Sequence, residues 1–274
     1  MSTDLSNEAI ERALTGGWGQ PTRVHASVGS TNSEALEWAA NGAPEGALVV
    51  ADHQSAGRGR HGRTWIAEPG RALLFSIVLR APEQSLSLLT TAAGVGVARA
   101  VRSTTGLNAG LKWPNDVTIA TRKVAGILVE TRFTGGRVDA AVAGVGLNLR
   151  PPANDLPDDL AERATDITAE MLRAGAGSPP ARVDLLVAMI AGLEVTYGLL
   201  TTPDGRAEVV TAASGLSEVL GRDVVVRMVG ERIVQGRADE LGTDGSLLLR
   251  TSEGRVAISG GEVELLRTRA GGAA

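Results

Sequence analysis

The segment GRGRHGRTW at positions 57–65 crowds Arg58, Arg60, His61 and Arg63 among Gly57, Gly59 and Gly62. Glycines let backbone N–H groups come close to a ligand, and guanidinium forks bind carboxylate and phosphate bidentately. Such a segment suits the handling of anions. Its first six residues also fit G-x-G-x-x-G, but a dinucleotide fingerprint must open a helix that crosses to a second parallel strand, at least about ten residues further on. Here Pro69-Gly70 breaks the stretch that follows, and the next strand begins near residue 72, so the crossover does not fit. No Gly-Lys-Ser/Thr follows either, which excludes a Walker loop. Three readings remain: a mobile basic loop over a phosphate-bearing ligand, an RGG-type contact to nucleic acid, or a solvated surface turn.

Two further stretches carry candidate chemistry. LKWPNDV (111–117) sets Lys112, Trp113, Asn115 and Asp116 around Pro114, so the chain is extended at Trp113 and then turns. Such a turn can display Asn and Asp toward a ligand or Mg²⁺, and it equally suits a plain β-turn with one packed tryptophan. KVAGILVE (123–130) places Lys123 at the mouth of an apolar strand, with Gly126 leaving room beside it. A lysine there also suits a strand edge that resists pairing.

The elements that must position these groups follow from periodicity. Residues 6–15 read as a short helix and 23–28 as a strand. STNSEALEWAANG (30–42) reads as a helix opened by a capping box of Thr31 and Glu34 and closed by Asn41-Gly42. A buried strand (46–54) runs straight into the glycine-arginine segment, another covers 72–80, and 86–106 reads as a long helix of small residues. A β-rich stretch follows, 110–120, 123–133 and 137–149, with Gly135-Gly136 as a hairpin turn between the last two. The order is α+β without regular βαβ alternation. Residues 150–180, rich in Pro, Asp and Gly, read as mostly loop, with helices near 181–200 and 205–214. After Gly221, short strands separated by Gly-Glu, Asp-Gly and Glu-Gly turns read as a small antiparallel barrel. A boundary near 217 divides the chain into 1–217 and 218–270, and the tail RAGGAA reads as disordered.

Composition narrows the function classes. The 274 residues carry a formal net charge of −4, no cysteine and three histidines, which excludes disulfides and thiolate metal sites and disfavours a His-based zinc site. The acidic balance weighs against a general polyanion binder, and one tyrosine with two phenylalanines offers little for base stacking. There is no secretory leader pattern and no run of about 18 apolar residues, so the expectation is a cytoplasmic protein without membrane contact.

In this order, STN (30–32), HQSAGRGRHGRTW (53–65), LKWPNDV (111–117), KVAGILVE (123–130) and GVGLNL (144–149), followed by a small β-barrel, resemble the biotin protein ligases. The resemblance spans roughly residues 22–267. It implies an α+β fold: a mixed-sheet catalytic domain of the biotin/lipoate ligase type with a small C-terminal SH3-like β-barrel. It also implies activation of biotin with ATP and Mg²⁺ to biotinyl-5′-adenylate, then transfer to a lysine of a biotin carboxyl carrier domain. The implied biotin contacts are Ser30, Thr31, Asn32, Gln54, Gly57, Arg58, Gly59, Arg60, Lys123 and Gly126. Arg58, Arg60, Arg63, Trp65, Lys112, Asn115, Asp116, Lys123 and Asn148 are implied on the ATP and adenylate side, with Trp65 over the adenine. Arg58, Arg60 and Lys123 are the implied catalytic cations and Asp116 the Mg²⁺ ligand.

A ureido ring offers two N–H donors and a carbonyl acceptor, which Ser30, Thr31, Asn32 and Gln54 can satisfy. His61 departs from the arginine often found at its place in the family, leaving less positive charge near neutral pH. Only about 22 residues precede the first matching strand, too few for the helix-turn-helix of the family's repressor forms, so a short form without specific DNA binding is expected. The nearest alternative is a lipoate or octanoate ligase or transferase of the same fold. From another class, a nucleic-acid-binding protein would use the arginines against phosphate.

Overall fold

A computed structural model describes residues 5–14, 17–153, 158–230 and 232–266. The tail RAGGAA lies outside them. At the centre is a sheet of seven strands: β1 (Thr22–His25), β2 (Leu48–Ala51), β3 (Ala72–Leu79), β4 (Ala109–Lys112), β5 (Asp116–Ile119), β6 (Arg122–Thr134) and β7 (Arg137–Asn148). Their order is β1-β2-β3-β7-β6-β5-β4. β1 and β2 are parallel and every other pair is antiparallel, so the sheet is mixed. β3, ALLFSIVL, is buried at all eight positions because it lies inside the sheet and is covered on both faces.

Strand alternation sends Ala143, Val145 and Leu147 of β7 into the main core, beside Ala125 and Ile127 of β6. Two long helices, α3 (Leu89–Thr105) and α6 (Arg182–Leu199), supply the other side of that core. They cross closely because each offers a glycine: a Cβ on Gly96 or Gly192 would come 2.8 or 2.7 Å from the other helix's backbone. α1 (Asn7–Ala13) adds Ile10, fully buried in the same core.

The opposite face is covered unequally. α2 (Thr31–Ala40) lays Ala35 and Ala39 over Val49, Val78, Ala140 and Val142. Beside that patch the first turn of α2 still puts Asn32 over Gly144, while Gly126 and Gly146 carry above them only the side chains of Trp65 and Lys123. This uneven cover creates the space for a site.

Three local expectations are corrected, and a fourth is given its geometry. Thr31 is not the helix cap: Ser30 holds that position, without a side-chain cap bond, and Glu34 pairs with Arg23 at 2.7 Å. The long helix starts at Leu89, after a 3-10 turn over Glu83–Leu88, and ends at left-handed Gly106. Residues 110–120, read as β-rich with a turn at Pro114, form the β4–β5 hairpin, with a cis Trp113-Pro114 peptide between the strands. The segment 150–180 holds two short helices, α4 (Asp158–Arg163) and α5 (Ile167–Arg173). Asp166 caps α5 by accepting from the Ala169 N–H at 2.8 Å, a start signal that the Pro- and Gly-rich surroundings hide.

After α7 (Pro203–Leu216) come β8 (Asp223–Arg227), β9 (Ile233–Leu241), β10 (Leu247–Thr251), β11 (Gly254–Ile258) and β12 (Glu262–Leu265). They form one antiparallel sheet in the order β11-β10-β9-β8-β12, an SH3-like barrel around Val224, Val226, Ala238, Leu247, Leu249, Ile258 and Val263. Trp113 of the hairpin enters that second core and donates its indole N–H to the Gly245 carbonyl at 3.0 Å. The tryptophan is therefore the packed one that a plain turn would carry, and it joins the sheet to the barrel. No helix among the described residues is long and apolar enough to cross a membrane.

Candidate active site

The floor of the site is backbone. Gly126 of β6 pairs with Gly146 of β7, and Leu128 pairs with Gly144. The missing side chains are what admit the neighbours. A Cβ on Gly144 would fall 2.0 Å from Asn32 Oδ1, and one on Gly146 2.6 Å from Trp65 Cε2. A Cβ on Gly126 would meet Trp65 Cζ3 at 2.9 Å and Lys123 Nζ at 3.0 Å.

The segment 57–65 forms a short hairpin over this floor. The Trp65 N–H donates to the Gly57 carbonyl at 3.0 Å and the Gly59 N–H to the Arg63 carbonyl at 2.7 Å. Its tip is a 3-10 turn, Arg60–Gly62, in which His61 takes φ 55° and Gly62 φ 73°. His61 is exposed and in left-handed space that a residue with a Cβ seldom occupies. Gly57 is required at the neck, since a Cβ there would stand 2.4 Å from the Trp65 carbonyl oxygen.

One wall comes from the start of α2 and the end of β2. The Gln54 side-chain oxygen accepts from the Thr31 N–H at 2.7 Å and from the Thr31 hydroxyl at 3.0 Å. That fixes the amide, leaving its two N–H donors on the Gly57 side. The Ser76 hydroxyl lies 2.7 Å from Thr31 Oγ1 and 2.6 Å from Asn32 Oδ1 and donates into that pair. Asn32 spends both amide hydrogens on the protein, to the Leu128 carbonyl at 3.1 Å and Glu130 Oε2 at 2.8 Å. Ser30, buried and without a cap bond, stands beside them.

The cations arrive from three directions. Lys123 arcs over Gly126 to Asp116 Oδ1 at 2.6 Å, with its Nζ 5.5 Å from the Trp65 ring centre. Arg58 pairs with Glu130 at 2.8 Å. Arg60 stands near Asn115 Oδ1, at the long distance of 3.5 Å. Burial pulls its guanidinium below the ordinary value while Asp116 and Glu262 act the other way, and an arginine remains charged throughout. Arg63 reaches the barrel and pairs with Glu262.

Lys112 lies one strand away, lining a small cleft of about 30 Å³ with Trp113, Asn115 and Asp116. Asn115 donates to the Ile127 carbonyl at 3.0 Å, and Asn148 to the Thr165 carbonyl at 3.0 Å, each leaving an oxygen to accept. The Trp65 ring rests on Gly126 and Gly146, and its indole N–H is buried without a partner.

The structure thus gathers Ser30, Thr31, Asn32, Gln54, Arg58, Arg60, Trp65, Asn115, Asp116, Lys123, Gly126 and Asn148 around one floor. Ser76, Glu130 and Thr165 belong to the same arrangement and were not read from the sequence. Ser76 left one signal, a single hydroxyl in an otherwise apolar strand.

Sheet, glycine floor and barrel define a class, the biotin/lipoate-type ligases. Residues 24–148 match the Biotin/lipoate A/B protein ligase family, and residues 219–266 match the Biotin protein ligase C terminal domain. The chain is 33% identical over 249 residues to the bifunctional ligase/repressor BirA of Bacillus subtilis, covering 90% of this chain and 74% of the relative. It is 33% identical over 273 residues to the biotin–[acetyl-CoA-carboxylase] ligase of Mycobacterium tuberculosis, covering 96% of each. Among solved structures, the biotin protein ligase of Aquifex aeolicus in complex with biotin and ATP has a TM-score of 0.73 at 28% identity, over 91% of this chain and all of that one. The chain belongs to the biotin protein ligase family.

Proposed function

We propose that this protein activates biotin with Mg·ATP and transfers it to one lysine of a biotin carboxyl carrier domain. In the first step a biotin carboxylate oxygen attacks the α-phosphorus of ATP, the bond to pyrophosphate breaks, and biotinyl-5′-adenylate forms. In the second the deprotonated lysine amine attacks the acyl carbon and AMP leaves. The observation that carries this reading is the meeting of two chemistries on one floor: a fixed Gln54 amide donor with buried hydroxyls at one end, and Arg58, Arg60 and Lys123 at the other. The first end suits the ureido carbonyl and N–H groups, inside an otherwise apolar pocket. The second suits the approach of two anions, a barrier that preorganised cations lower as charge develops.

In this reading Gln54, Ser30 and Thr31 hold the ureido ring, with Gly57, Gly59 and Gly126 letting the ligand approach backbone. Asn32 acts through Ser76 and Glu130, since its own donors are spent. Asn115 and Asn148 accept from the nucleotide, Trp65, seated on the floor, packs over the adenylate, and Arg63 and Lys112 face the phosphates. Asp116 is the residue that would hold Mg²⁺: the ion is usually bound by one or two carboxylates plus substrate phosphates and water, and this carboxylate, paired with Lys123 at 2.6 Å, stands beside the cations that would meet those phosphates. When bound, Mg²⁺ supplies charge neutralisation at the phosphates.

The unit 1–217 would carry activation and 218–270 the barrel that closes on the loop through Glu262. In this reading α1, with Ile10 packed into the main core, serves the catalytic fold, and the function calls for no specific duplex DNA. Cytoplasmic residence, where ATP and newly made carrier domains meet, fits it.

The test is to incubate the protein with ATP, Mg²⁺ and biotin, lipoate or octanoate in turn, and to identify adenylates by mass spectrometry. Adenylate with biotin alone is expected, together with biotin-dependent exchange of labelled pyrophosphate into ATP. Lys123→Ala should abolish that exchange, because it removes the cation between the two reacting anions. Adenylate from lipoate or octanoate instead would refute the substrate assignment.

A further inference from the structure

Glu130 is a carboxylate set beside a pocket for anions, where an unpaired negative charge would oppose the ligand. It is not unpaired. One oxygen, Oε2, accepts from Asn32 Nδ2 at 2.8 Å and from Arg58 NH2 at 2.8 Å. Gly126, Leu128 and Glu130 alternate onto the same face of β6, so the carboxylate stands at the end of the row that forms the floor. It ties together three parts distant in sequence: the edge of the floor, the buried first turn of α2, and the hairpin 57–65.

A surface ion pair of this length would ordinarily mean little. Here the shared oxygen has a buried anchor. Asn32 is 4% exposed, its other amide hydrogen goes to the Leu128 carbonyl, and its oxygen accepts from fully buried Ser76. The Glu130 carboxylate is therefore held at a fixed point, and the guanidinium that meets it is placed rather than free to wander.

We infer that Glu130 is a positioning residue for the activation step, seating Arg58 and with it the hairpin 57–65 over the glycine floor before biotin arrives. This rests on the function proposed above. Arg58 bonds Glu130 through one terminal nitrogen and keeps its remaining donors for a ligand anion. A preformed cation spares the ligand the entropy of ordering it.

The experiment uses Glu130→Gln in the full chain. Glutamine keeps an acceptor for Asn32 and removes the charge that holds Arg58. Limited trypsin digestion of the ligand-free protein, followed by mass spectrometry, reads cleavage after Arg58, Arg60 and Arg63. Calorimetry reads biotin affinity. Faster hairpin cleavage is expected, with biotin binding weakened by about tenfold, a loss of one charge-assisted bond's preorganisation. In an Arg58→Gln background, Glu130→Gln should add nothing to either readout.

Wild-type cleavage and affinity in Glu130→Gln would overturn the inference. So would an equal loss in both backgrounds, because Glu130 would then act through Asn32 alone. Should Glu130→Gln fail to fold, Arg58→Gln tests the same contact from the loop side, where cleavage after Arg60 and Arg63 must rise. Cleavage is read without biotin, so it separates the two readings. Faster cleavage in a protein with no biotin-dependent exchange would sink the proposed function and keep the seating role; wild-type cleavage in an active biotin ligase would do the reverse.

Discussion

Replacing Gly146 by alanine should damage catalysis while sparing the fold. An ideal Cβ at this position would stand 2.6 Å from Trp65 Cε2 and 2.7 Å from Cζ2. Carbon atoms in contact need about 3.5–4.0 Å, so the indole must retreat by roughly 1 Å. The yielding group is the end of a side chain on a hairpin, and Gly146 itself is regular strand paired on both sides, so the stability change should stay within about 1 kcal/mol. The site is less forgiving. A misplacement of about 1 Å costs on the order of 10²-fold, which corresponds to about 2.7 kcal/mol of transition-state stabilisation. The expected result is kcat/KM for biotin-dependent pyrophosphate exchange lowered by that factor, with the urea unfolding midpoint close to wild type. In a Trp65→Ala background the same substitution should cost little more, because the clashing partner is gone. Wild-type kcat/KM for Gly146→Ala, or an undiminished loss once Trp65 is removed, would refute the idea that the bare floor exists to seat the indole.

Two further predictions concern what holds the site in place. Arg182, 2% exposed on the first turn of α6, pairs with Asp52 at 2.5 Å, two residues before Gln54; Arg182→Met should destabilise the protein by about 3–5 kcal/mol in urea titration, because it strands a carboxylate at the edge of the core. Trp113→Ala should cost a similar ~3–5 kcal/mol and, by vacating the barrel core, split the calorimetric unfolding transition in two; a single transition at the wild-type temperature would show that Trp113 is not the joint.

The legible parts of the molecule were those whose spacing expresses backbone need. The glycine-arginine loop, the room beside Gly126 and the Lys123 strand mouth all lie in contiguous motifs, because close approach and positive φ must be solved within a few residues. The turn patterns also revealed the barrel strands. What stayed hidden depends on distant pairing. Thr31 has the type and spacing of a cap, yet its hydroxyl is drawn to Gln54, twenty-three residues away, so the helix starts one residue earlier in role. Trp113 reads as one packed tryptophan beside a turn, but nothing local names its partner, a barrel carbonyl 132 residues on. Glu130 ends an apolar run and resembles any strand terminus; only the arrival of Arg58, 72 residues earlier, gives it a task.

The internal pairing of the cations explains why a segment so rich in arginine need not behave as a polyanion binder. Arg58 already faces Glu130, Lys123 faces Asp116 and Arg63 faces Glu262. A ligand therefore gains only the difference between its own contacts and the carboxylates it displaces or joins. An exposed phosphate chain meets half-solvated cations that are already neutralised, on a molecule whose formal charge is −4, and has little to gain. A compact ligand that brings a carboxylate and phosphates onto the floor can engage the unused guanidinium donors together. It also excludes water, and in that drier setting each contact is worth more. Discrimination then comes from geometry: the carboxylates suppress loose, general attraction to the loop, and the glycine floor rewards the one ligand shape that reaches all of its cations at once.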